Sequence, residues 1–169
     1  MMMNKVRKYP GRVAAVIAIA VVLSSCSTRE DSLGSLRASE PTPELSPREV
    51  VEIQLLAFGN NGERDDGIEI AFRFASPANR AVTGPLDRFT NMMRGGVYAV
   101  MLDHDRAEYA ETVVNGDRAL QRVALYRESE VTVFDFMLRR QTDAPYEDCW
   151  MTEGVYLIGV GQAEREQTI

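Results

Sequence analysis

The hydrophobic residues of this chain change their spacing once. Up to Gly95 they recur at helical intervals, and beyond residue 105 they alternate, with β-branched and aromatic residues enriched. A helical repeat buries a stripe and an alternating repeat buries one face of a sheet, so each half needs the other to cover it. The expected fold class is α+β: N-terminal helices packed in a curved antiparallel sheet. With 45% hydrophobic and 8% aromatic residues, 169 residues suffice for one such domain.

Three helices are expected in the first half. "SPREVVEIQLLAFG" opens with Ser46 as N-cap, Pro47 at the first helical position and Glu49 completing a capping box, and it stops at Gly59. Its apolar residues leave a narrow polar side, so other elements should enclose it. "DDGIEIAFRFASP" places Ile68, Ala71, Phe72 and Ala75 on one stripe behind an acidic cap, with Pro77 as its end. "GPLDRFTNMMRG" begins at Pro85, carries Leu86, Phe89 and Met93 on one side and closes at Gly95; its two methionines read as core filler. The strands follow as "AEYAETVV", a hairpin turn at Asn115-Gly116, "DRALQRVALY", the turn "RESE", "VTVFDFMLRR", the turn "QTDAP" and finally "CWMTEGVYLI". A concave sheet around helices would leave a pocket.

Ahead of this domain, residues 1–25 have the three-part layout of a secretory signal: the basic "MMMNKVRKYPGR", the apolar "VAAVIAIAVVL", then small polar residues. The apolar run is too short to span a bilayer, which takes about 20 residues. It ends in "LSSC", Leu23 to Cys26, which resembles the bacterial lipobox, where Leu, two small residues and Cys direct lipidation of the thiol and cleavage before it. Cys26 is thus the expected anchor to the membrane. Bacterial lipoproteins of this kind carry two or three acyl chains, enough for stable attachment. Ser27 follows the cleavage point, and by resemblance to Gram-negative sorting this favours the periplasmic face of the outer membrane. Residues 26–45, rich in Ser, Pro and Glu, read as a disordered tether spanning roughly 25 Å. The α+β domain is then expected over residues 46–160, with a disordered tail at 161–169.

Charge separates these parts. Lys5, Arg7, Lys8 and Arg12 precede the apolar run, and every Asp and Glu follows Cys26. Without residues 1–25 the chain holds 15 basic and 25 acidic residues, a balance of −10, and no Lys. Nucleic acid is therefore not an expected partner, since its binding needs clustered cations. The two cysteines form no disulfide framework, and no Cys/His cluster offers a metal site.

Four stretches, "SPREVVEIQLLAF", "GIEIAFRFASPANRAVTGPLDRFTNMM", "VVNGDRALQRVAL" and "DCWMTEGVY", resemble the family known as domain of unknown function 4864, over roughly Ser46 to Ile158. That family is usually placed near the nuclear-transport-factor-2-like (NTF2-like) cone folds, which include ketosteroid isomerase, scytalone dehydratase and SnoaL-like cyclases. The resemblance implies a cone with a pocket. It transfers no catalytic residue and no cofactor, because the link to those enzymes is by fold alone.

An acid/base enzyme on such a cone needs a carboxylate or His within about 3 Å of the proton it moves and an oxyanion donor opposite. Asp135 interrupts the strand "VTVFDFML". If its face, shared with Val131, Val133 and Met137, lines the cone, it is a candidate base; if Phe134, Phe136 and Leu138 fill the core, it faces solvent. Tyr126 and His104 are the candidate assistants, although His104 also reads as a solvated loop residue among charges. Cys149 beside Trp150 reads as a buried hydrophobe, and its acidic neighbours oppose a reactive thiolate. "ASPANR" reads as a loop in which Asn79 and Arg80 either lock two helices or contact a ligand or partner. Arg73 either reaches a pocket or snorkels outward.

The expected function is that of a lipid-anchored envelope protein, a non-catalytic module that binds a small apolar ligand or partner or forms a homodimer through its sheet. Two alternatives stand beside it: an isomerase or hydratase working through Asp135, and a scaffold with a filled core.

Overall fold

The structure is a computed structural model that describes residues 35–163. Helix α1 spans Pro47–Gly59 and starts as its sequence dictates. The Glu49 amide donates to Ser46 Oγ (3.3 Å), and the Ser46 amide donates to Glu49 Oε2 (2.8 Å). Both Ser46 bonds, side chain first, hold the Glu49 carboxyl below its ordinary range. Val50, Val51, Leu55, Ala57 and Phe58 are buried along the helix, and Gln54 is buried among them.

Helix α2, Asp66–Arg73, lacks the acidic cap expected of it. Asp65 sits before the helix in a left-handed conformation (φ 60°) and makes no capping bond. Asn61 Oδ1 accepts from the amides of Gly67 and Ile68 instead, both at 3.1 Å. Asp65 accepts from Asn61 Nδ2 (3.0 Å) and from Arg94 Nη2 (2.7 and 2.9 Å), contacts that hold its carboxyl below the usual range.

The helix count expected above requires correction. "ASPANR" is not a loop: Pro77–Thr83 form a further helix, α3, whose Ser76 Oγ accepts from the Asn79 amide at 3.0 Å. Pro77 begins this helix rather than ending α2, which stops at Arg73. Helix α4 covers Leu86–Met93, with Phe89 and Met93 buried, and a 3-10 turn at Gly96–Met101 leads to the sheet.

The antiparallel sheet has five strands: β1 (Arg106–Tyr109), β2 (Val113–Asn115), β3 (Arg118–Arg127), β4 (Glu130–Arg140) and β5 (Trp150–Gln162). Its order is β1-β3-β4-β5, and β2 pairs the other end of β3. The single strand expected for "AEYAETVV" is broken into β1 and β2, because three residues there oppose two on β3. Buried Gln121 occupies the break, its Nε2 donating to Ala110 O (2.8 Å) and Arg122 O (3.0 Å). The hairpin turn falls one residue later than expected. Asn115 pairs with Arg118, so Gly116 and Asp117 are the central residues, and Gly116 takes the left-handed conformation (φ 62°) that such a turn needs.

Strand β4 lies at the centre of the fold. Phe134, Phe136 and Leu138 point to the face that packs with Val50, Leu55, Phe58, Ile68 and Phe74. Strand β5 runs two residues past the expected domain end, to Gln162. Its start is covered by the segment after α2: the Thr152 amide donates to Phe74 O and the Ser76 amide to Thr152 O, both at 2.9 Å. Beyond that, Tyr156, Leu157, Ile158 and Val160 are exposed.

Residues 35–45, expected within the tether, are packed against the domain. Leu36 is buried in the core cluster, and Arg73 Nη1 donates to the carbonyls of Arg37 (2.9 Å) and Ser39 (3.4 Å) and to Glu40 (3.0 Å). The expected signal, the Cys26 anchor and most of the expected tail lie outside the described residues.

Candidate functional site

A cleft of about 390 Å³ opens between α1, α3, α4, the 3-10 turn and the first half of β5. Its walls are mostly apolar, with Phe58, Phe89, Met92, Met93, Met101 and Phe136 among them. Such a volume and lining are typical of small-molecule sites. Polar groups gather where α1 meets β5. There Thr152 Oγ1 donates to Gln54 Oε1 (2.7 Å), and Gln54 Nε2 donates to Ala71 O (3.0 Å). Asn79 Nδ2 donates to Thr152 O (3.0 Å), and the Tyr98 hydroxyl to Val155 O (3.1 Å).

Strand β5 carries two irregularities, the first of them at the mouth of the cleft. Leu138 pairs with Thr152 and Met137 with Gly154, so Glu153 is an extra residue in a bulge; Ile158 is another. A bulge re-aims its side chain, which puts Glu153 between the cleft and a second hollow of about 420 Å³ on the opposite face of the sheet. Gly154 leaves room for Tyr156 to fold back along the strand, since a β-carbon there would lie 3.1 Å from the tyrosine hydroxyl. Tyr156 borders both hollows. The second hollow is charged, with Arg118, Asp135, Arg139 and Glu153 in its wall.

The three acid/base candidates are not brought together. Asp135 lies on the sheet face away from the cleft and accepts from Arg122 Nε (2.7 Å) and Nη2 (2.8 Å), which raises the Arg122 pKa further. The Tyr126 hydroxyl donates to Glu108 (2.8 Å) under the Arg106 guanidinium, 3.8 Å from its ring. His104 Nδ1 meets Met101 O at 2.9 Å, with its ring against Gly59. None of the three lines the cleft. Of the candidate contact residues, Asn79 does line it and also joins α3 to β5. Arg73 holds residues 37–40, and Arg80 lies 5.1 Å over the Tyr146 ring. Cys149 is buried, and desolvation first, then Glu44 and Asp148, pushes its thiol up.

Sequence reasoning passed over Gln54 and Thr152. The signal for Gln54 was one amide amid the apolar residues of "EIQLLAF". Met92 and Met93 read as filler; both face the cleft, where unbranched thioethers can adapt to an occupant.

The model of the family described as Domain of unknown function (DUF4864) matches residues 42–164. The chain belongs to this family. The match contains the stretch from Ser46 to Ile158 on which the resemblance rested and extends it at both ends. No curated protein and no solved structure matches the chain. Every helix and strand from α1 to β5 falls within the DUF4864 match, and so does the entire lining of the cleft.

Proposed function

We propose that this DUF4864 protein is a lipid-anchored component of a bacterial cell envelope whose domain binds a small apolar ligand. The observation that carries the ligand reading is the cleft of about 390 Å³, walled by Phe, Met and Tyr and built over one satisfied Gln54–Thr152 pair. Apolar surface left open to water favours an occupant by about 25 cal/mol for each Å² it covers. The anchoring reading rests on "LSSC" after an apolar run. A helix-filled NTF2-like cone is the finer fold that accommodates both readings.

Binding is favoured over catalysis because the cleft wall, among the described residues, holds no His and one carboxylate, Glu153 in the β5 bulge. A positioned acid and base are what proton-transfer chemistry needs. Native mass spectrometry of the protein extracted from membranes in detergent tests both halves. The expected result is a chain that begins at Cys26 with the added mass of acyl groups and retains a small molecule released by denaturation. An unacylated N-terminus ahead of Cys26 overturns the anchor.

A further inference from the structure

We propose that the cleft takes an uncharged ligand, an apolar body with at most one hydrogen-bonding group, and discriminates against anions of the same shape. This deepens the reading of the cleft as a ligand site and rests on it. Eighteen of the described residues line the cleft, and none of them is Arg, Lys or His. The charge it does hold, Glu153, has the sign that repels an anion. Of the arginines on the neighbouring elements, Arg73 is engaged with the carbonyls of residues 37 and 39, Arg80 lies over Tyr146, and Arg88 of α4 is exposed outside the lining.

Neutral donors do not make up for the missing cation. The Gln54 amide reaches Ala71 O, the Thr152 hydroxyl reaches Gln54, the Asn79 amide reaches Thr152 O and the Tyr98 hydroxyl reaches Val155 O. Among the described residues no buried side-chain polar atom lacks a partner. A carboxylate, sulfonate or phosphate entering the cleft would shed its water and find no counter-charge in the wall, which is heavily unfavourable. A neutral molecule loses little on entry. Its single polar group can meet the hydroxyl of Tyr156, which is 59% exposed at the mouth. At about 390 Å³ the cleft falls within the range of about 300–1,000 Å³ usual for small-molecule sites, room for a body of two or three rings.

Two fluorescent probes with the same ring skeleton test this: neutral N-phenyl-1-naphthylamine and anionic 1-anilinonaphthalene-8-sulfonate, each titrated at neutral pH into the delipidated full chain. The variant Ala78→Trp, at an exposed position on the cleft wall, fills the site, and the signal it removes defines cleft binding. Val82→Trp, at a residue 69% exposed, serves the same purpose if Ala78→Trp lowers the unfolding midpoint. The expected result is cleft binding of the neutral probe at least about tenfold tighter than of the sulfonate. Sulfonate binding that is equally tight and equally lost in the variant overturns the selectivity while leaving the cleft as a site. A neutral-probe signal unchanged by either variant overturns the cleft reading itself.

Discussion

Asp135 is only 8% exposed although it lies on the sheet face turned away from the helices, because the Arg122 guanidinium lies across it with two hydrogen bonds. The pair is unequal: the Arg122 side chain is 49% exposed and the Asp135 side chain 11%. Arg122→Ala takes away that cover and lets water reach the carboxylate, and Asp135→Asn leaves a cation that water already solvates, so each change should be as mild as the loss of an exposed ion pair. Urea denaturation of the two variants checks this; a large loss in Arg122→Ala would mean that the carboxylate stays buried without its partner. The sequence reading left two positions open for Asp135. The alternation of "VTVFDFML" indicated that Phe134, Phe136 and Leu138 share a face, and they are the ones in the core. Arg122 could not be read as the partner, because it lies 13 residues away and only the β3–β4 register sets the two opposite each other.

At the level of elements, what was local was legible. The Ser46–Glu49 box lies within four residues and formed as read. Ser76-Pro77 has the same Ser-Pro start as Ser46-Pro47, yet Pro77 reads as a stop because a helical stripe precedes it. A proline after a helix can end one element and begin another, and the stripe alone does not distinguish the two. The break between β1 and β2 depends on Gln121 of a different strand, and the shift of the hairpin turn depends on register with β3; neither is a property of the segment itself. Helices α1 and α2 meet where Gly67 approaches the Ala57 carbonyl so closely that a β-carbon would lie 2.1 Å from the oxygen. Gly67→Ala must push the helices apart, with an expected loss of about 2–3 kcal/mol. Thermal unfolding reads it, and an unchanged midpoint would mean that the two helices do not meet as described.

The cleft belongs to the whole molecule. Its walls come from four helical segments and two strands, so helical and strand periodicity could indicate that a core exists but not that part of it stays open. The same scale governs the response to alkali. Tyr109 of β1 is half-buried beneath α1, with Arg48 5.0 Å from its ring, and its pKa is pushed from 10.0 to about 12 by desolvation first and by Glu52 second, with Arg48 opposing. Between these values the unfolded chain has released the proton that the folded one keeps, so stability must fall as pH rises through the window. Tyr109→Phe should flatten that decline in urea denaturation between pH 10 and 12. A slope identical to that of the parent would remove Tyr109 as the cause.

Leu36 sets where the domain begins. Because it is buried in the core and residues 37–40 are held by Arg73, the chain joins the domain at residue 35 or before, not at 46. With Cys26 acylated as proposed, nine peptide links separate the lipid from Ser35, and fully extended they reach about 30 Å. A domain of this length has a radius of gyration of about 14 Å, which for a compact sphere is a diameter of about 36 Å. The leash is thus shorter than the body it holds. Such a protein can roll over its own bilayer but cannot cross to another one, and whatever fills its cleft must come to it at the membrane surface.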